Sequence, residues 1–170
     1  MTHTTHQAYT LAVAYRGHGL GIAVTLDGEL LDVLRHRIPA RRPVRSTIRF
    51  LVRKATTSYP PRIVIVETNT RVHTIARQLD RCRVRSVSLD EIKSVLMAGR
   101  RRSTRHDVFQ HLIDLHPKLR RLVTLIPGTR RLAINEARRT VPLLAVALVL
   151  AAQRLQTHRR RRPHGRPATI

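Results

Sequence analysis

The run Arg62 to Glu67, RIVIVE, leaves this chain the fewest choices. Branching at Cβ restricts side-chain rotation and suits a pleated surface, so Ile63, Val64, Ile65 and Val66 favour a strand. The run does not alternate with polar residues. It therefore reads as a strand covered on both faces, the habit of parallel sheets with helices on either side. Glu67 closes it, an acid at the end of a buried strand, where a carboxylate requires either a partner or a task.

The elements around this strand follow from local signals. Thr10 to Tyr15 reads as an apolar strand, the glycine-punctuated Arg16-Gly17-His18-Gly19 as a turn, and Leu20 to Leu26 as a second strand. Asp27-Gly28 is a hairpin turn leading to a third strand, Glu29 to Ile38, so the first three strands form an antiparallel meander. Val44, Ile48, Leu51, Val52 and Ala55 recur at helical spacing and end before Pro60-Pro61. After Glu67 come a helix from about Arg71 to Arg81, a strand at Val84 to Val87, and a helix opened by the capping box Ser88 and Glu91 and closed near Gly99. Val108, Leu112 and Leu115 give the next helix an apolar side before Pro117. Leu119 to Ile126 fits helix or strand, and a last helix spans about Leu132 to Gln156. Its apolar stretch, Val141 to Ala152, contains Pro142 and is too short for the roughly 20 residues that cross a bilayer. It reads as a buried helix. The chain is thus expected to be α/β, a mixed sheet of a three-stranded antiparallel meander plus parallel strands, flanked by helices. One domain would cover residues 1–157, with an arginine-rich tail at 158–170 that is disordered in isolation.

Charge then limits the partners. There are 33 Lys+Arg against 10 Asp+Glu, a formal net charge of +23, and the only lysines are Lys54, Lys93 and Lys118. A GC-rich genome accounts for arginine over lysine but not for cations over acids. Such an excess repels itself on compaction and is relieved by a polyanion, of which nucleic acid is the commonest. Arg41, Arg45, Arg49 and Arg53 recur every four residues without an acid among them, a row able to follow a phosphate backbone. Arg100, Arg101, Arg102 and Arg105 form a second cluster, and Arg159, Arg160, Arg161, Arg162 and Arg166 a third. Aromatics are only 3% of the chain, which disfavours stacking on single strands and points to duplex, branched or structured nucleic acid. His106 and His111, five apart, fall on different sides of a helix, so no metal site is read from the histidines. Asp107 and Asp114 read as helix-surface charges. The lone Cys82 and the absence of a basic-then-apolar leader at Met1 to His6 suit a cytoplasmic protein associated with nucleic acid.

The order of elements and several phrases resemble the RuvC family of Holliday-junction resolvases, of the RNase H-like superfamily. Ala14-Tyr15-Arg16-Gly17 running into Gly21-Ile22-Ala23-Val24 resembles the family's first strand, turn and second strand. Val64-Ile65-Val66-Glu67 resembles the strand ending in a catalytic glutamate. Leu89 to Val108 resembles its helix, glycine, basic loop and Lys-x-x-Val, with Arg105 at the lysine's place, and Leu143 to Leu148 its closing apolar helix. The resemblance implies an RNase H-like domain, a homodimer, and hydrolysis by two metal ions held in clustered carboxylates.

The departures point the other way. Tyr15 stands where the resemblance expects the first aspartate, and Arg139 and Pro142 stand at the closing acidic pair. Only Glu67 remains, with Arg16 and Arg139 expected nearby, a set that repels divalent ions rather than collecting two. The resulting expectation is a RuvC-like pseudonuclease that binds branched or duplex DNA, or structured RNA, by arginine–phosphate contacts, without catalysis and without a cofactor. Arg16, the row, the loop and the tail would carry the binding, row and loop forming one path. Two alternatives stand beside it. A register shifted by three pairs Glu67 with Glu136 and gives a magnesium-dependent, structure-selective endonuclease. The other is a basic structural component of a ribonucleoprotein or another nucleic-acid machine.

Overall fold

The computed structural model describes residues 8–68, 70–77, 82–98, 103–123 and 140–161, with side chains as far as 157. Strands β1 (Tyr9–Arg16), β2 (Gly19–Leu26) and β3 (Glu29–Arg37) form the antiparallel meander, and β4 (Pro61–Glu67) and β5 (Arg83–Val87) add in parallel, giving the order β3-β2-β1-β4-β5. Helices α1 (Val44–Ser58) and α2 (Arg71–Ala76) cover one face. Helices α3 (Leu89–Leu96), α4 (Arg105–Leu115) and α5 (Val141–Arg161) cover the other. This is the mixed, helix-flanked sheet read from the sequence.

Because successive side chains on a strand point to opposite faces, each central strand supplies two cores. Leu11, Val13, Ile22, Val24, Val64 and Val66 pack with Ile48, Val52 and Ala55 of α1 and with Val72 and Ile75 of α2. Ala12, Ala14, Ala23 and Ile65 pack with α3, α4 and α5. Ala12, Ala14, Gly21 and Ala23 make this face of β1 and β2 small, which lets α5 lie close. At Gly21 an added Cβ would stand 2.6 Å from the Val141 carbonyl oxygen and 2.8 Å from Pro142, so the first turn of α5 rests on the β2 backbone. From Val141 to Val149 every residue of α5 is buried, as expected of a helix apolar all round.

Several local readings change. The last helix is described from Val141, with Pro142 in its first turn, where the missing N–H breaks no helical hydrogen bond, and the part expected at 132–139 lies outside the described residues. It continues to Arg161, past Gln156 and into the segment expected to be tail, since no glycine or proline interrupts it before Pro163. Helix α4 buries Val108, Phe109, Leu112 and Ile113, while Leu115, expected in the core, is 49% exposed. Asp107, expected as a plain surface charge, closes a capping box with Thr104 at the start of that helix. The segment that fitted helix or strand is a short 3-10 helix at Pro117–Leu122 as far as it is described.

Candidate nucleic-acid interface

The site is assembled where parallel neighbours β1 and β4 end. Glu67, the last residue of β4, is 6% exposed, and Arg16, the last of β1, donates from Nη2 to its Oε1 as an ion pair. Arg105 enters from the first turn of α4. Burial and then the nearby charge of Arg16 lower its pKa, with Glu67 opposing the shift. The Nε atoms of Arg16 and Arg105 and the second carboxylate oxygen of Glu67 are buried without a hydrogen-bond partner among the described residues. One guanidinium is thus paired with the carboxylate and a second lies within its electrostatic reach, so the cluster keeps an excess of positive charge. The Arg16 side chain, 36% exposed, opens it to solvent.

The pleat decides which residues belong here. Ala14 lies one residue beyond the Val13–Val66 pair, level with Glu67, and packs on the α5 side. Tyr15 points to the opposite face, against the α1 and α2 core. Tyr15 was assigned to the metal-facing position, and this placement corrects it: Ala14 and Arg16 share the face of Glu67, and neither is acidic. Pro142 does lie at this end of the sheet, over Gly21, which pairs with Ala14. Arg139 and Glu136 fall outside the described residues, as do Arg100, Arg101, Arg102 and Arg162. Of Arg159, Arg160 and Arg161 the structure describes only their helical backbone.

Two arginines that sequence reasoning passed over join the cluster. Arg37 pairs with Gly19, which pairs with Arg16, so Arg16 and Arg37 stand on one face two strands apart, about 10 Å from the spacing of strands. Arg35 pairs with Gly21 on the same face, and both β3 arginines are exposed. Gly19 and Gly21, between them on β2, add no side chain to the strip. The alternation of Arg35 and Arg37 with Leu34 and His36 was visible in the sequence, but its phase was not. A bulge between Val24 and Thr25 shifts the β2–β3 register and sends the arginines, rather than Leu34 and His36, to the α5 side.

The α1 row lies elsewhere. Arg45, Arg49 and Arg53 are exposed on α1, and Arg41 is exposed in the turn before it. Arg105, the described member of the second cluster, opens α4 on the other side of the sheet from α1. The row and Arg105 are therefore separated by the sheet, against the expectation of one path joining row and loop.

A divalent metal fits this donor set poorly. Among the described residues no three His, Cys, Asp or Glu side chains cluster, and one oxygen of Glu67 is engaged by a guanidinium. No helix among the described residues is long and apolar enough to cross a membrane.

No known family model and no curated protein matches the sequence. Solved structures do match. RuvC of Thermus thermophilus superposes with a TM-score of 0.61 at 16% identity, over 88% of this chain and 96% of that one. T. thermophilus RuvC in complex with a Holliday junction substrate superposes with a TM-score of 0.55 at 13% identity, over 89% and 96%. Across nearly the whole length of those chains, this protein has the RNase H-like fold of RuvC, with Ala14 and Arg16 facing its buried Glu67.

Proposed function

We propose that this protein binds branched or duplex nucleic acid through arginine–phosphate contacts and does not cleave it. The observation that carries the reading is the Arg16–Glu67–Arg105 cluster, where one guanidinium pairs with a single buried carboxylate at the end of β1 and β4 and a second lies within its electrostatic reach. Phosphate oxygens accept from guanidinium donors bidentately, and the Arg16 side chain is 36% exposed toward solvent. Glu67 keeps Arg16 in place and limits the charge there; Arg35 and Arg37 extend the strip along β3. A guanidinium grips a phosphate but cannot supply a metal-bound hydroxide, so the arrangement binds without providing a nucleophile. DNA is favoured, since one superposed structure is described as a complex with a Holliday junction substrate. A homodimer belongs to the same reading.

The test is a salt titration with synthetic junctions, duplexes and structured RNA, combined with incubation in magnesium or manganese. Affinity should fall by roughly 10³-fold or more between 50 and 200 mM salt if about six phosphates are neutralised. A flat dependence, or no binding at low salt, ends the proposal. Metal-dependent cleavage that disappears in Glu67→Gln replaces it with a nuclease using Glu67 and Glu136. Recovery of defined RNA and protein subunits at high salt points instead to a structural part of a larger machine.

A further inference from the structure

The face opposite Glu67 carries arginines that the proposed site does not use. On α1, Arg45, Arg49 and Arg53 stand one above another on the solvent side, about 6 Å apart by the helical rise, while Ile48, Val52 and Ala55 face the core. Lys54 is exposed on the same helix, which contains no acid. Arg45 of α1 and Arg71 of α2 converge on a cavity of about 300 Å³, with Thr74 on its wall and the buried Ile75 beneath. None of Arg45, Arg49, Arg53 or Arg71 makes an ion pair with a described residue. Like charges held this close repel one another, and nothing on either helix relieves them.

We propose that this α1–α2 face is a second nucleic-acid surface, so that one molecule holds two backbone segments on opposite sides of its sheet. The inference rests on the reading of the Arg16–Arg105 face as a binding surface. Charge complementarity names the occupant: an unbroken row of guanidiniums at phosphate-like spacing, ending in a pocket where two of them meet a hydroxyl and an apolar floor, suits a sugar–phosphate backbone. A second copy of this chain would bring the same uncompensated charge against it. The two faces belong to different segments because helix, sheet and helix together are on the order of 30 Å thick, from helix diameters of about 10 Å. A straight duplex on the Arg16 face does not reach α1.

A capture assay decides the matter. One duplex is fixed to beads, a fluorescent duplex of unrelated sequence is supplied in solution, and the full-length protein is added at low salt. Binding of the protein to a single duplex is measured in parallel, and so is its mass in solution. The unaltered protein is expected to capture the second duplex. The triple variant Arg45→Gln, Arg49→Gln, Arg53→Gln, whose changes all face solvent, should unfold at the wild-type temperature. It should lose capture by about tenfold or more while its single-duplex affinity falls only about threefold. Capture equal to wild type in the triple variant overturns the second surface and assigns bridging to a dimer with one surface per copy. Absence of capture by a protein that binds one duplex well also overturns it, as does a single duplex protected around the β3 edge. If no duplex binds at all, the proposed function itself has failed, and this inference with it.

Discussion

The two faces of the sheet bury similar strands and meet solvent in opposite ways. On the α5 side the helix is buried all round from Val141 to Val149, enclosed by the sheet beneath and by α3 and α4 outside it, and the buried charge of Glu67 is gathered at the strand ends. On the α1 side the helix buries one side and exposes the other, and Arg45, Arg49, Arg53 and Lys54 spread charge along the exposed side. The first face shows how a fold that places an acid at the end of β4 can be recharged locally without loss of its core. The second shows charge spread over an amphipathic helix, where no burial holds the side chains in place.

The contrast is most exposed by truncating each core. Leu143→Ala in α5 removes a fully buried side chain from a helix enclosed on all sides, and should cost about 4 kcal/mol because the cavity cannot collapse. Ile48→Ala in α1 removes one that is equally buried, but the outer side of its helix is free to settle, so about 2–3 kcal/mol is expected. Denaturant unfolding of both variants checks the order, and equal losses would show that the two faces are packed alike.

The next effect is local to the α5 side. Gly21→Ala places a methyl group against the Val141 carbonyl and Pro142 backbone, which are not free ends that can turn aside. It should destabilise by roughly 1–3 kcal/mol. That is a drop of about 2–4 °C in Tm per kcal/mol for a chain of this size. Nucleic-acid binding by the α1 face should be untouched.

A smaller change separates stability from binding. Glu67→Ala leaves Arg16 without its partner; because Arg16 is partly exposed and can turn to water, the cost should be only about 1–2 kcal/mol. Affinity for duplex should stay the same or rise, since a repelling carboxylate is gone. A fall in affinity would mean that Glu67 positions Arg16 for phosphate rather than merely restraining it.

The smallest effect is a pH dependence confined to the α1 side. Burial, and then the charge of Lys54, lower the pKa of His36 below its ordinary 6.5. The folded protein therefore holds fewer protons at this position than the unfolded chain in the window just below 6.5. Stability from this source is complete above that value and declines as pH falls through the window. His36→Gln should remove this part of the acid sensitivity in thermal melts between pH 7 and pH 5, and an unchanged melt profile would show that His36 is not responsible.

Much of this was readable residue by residue. The β4 run and its terminal Glu67, the Asp27-Gly28 turn and the Ser88–Glu91 capping box are set by neighbours a few positions away, and all stand where the sequence put them. Arg105 likewise lies beside the Glu67 site, where the resemblance to the Lys-x-x-Val helix start suggested. Arg105 and the α1 row, expected on one path, lie on opposite sides of the sheet, because spacing along one helix says nothing about which side of the sheet that helix covers.

Sequence by itself therefore determined the elements, their order, the excess of arginine and the single acid at the end of β4. Only the tertiary structure decided which side chains meet that acid. Strand β1 is buried on both faces, so Leu11 to Ala14 show no alternation of apolar and polar residues from which a phase could be read. Pairing with β4 turns Arg16 toward Glu67 and Tyr15 away from it. The same holds for Arg35 and Arg37, since one bulged residue in the meander exchanges every later side chain on β3 between the two faces. Facing is a property of register, and register is fixed by contacts between segments far apart in the chain.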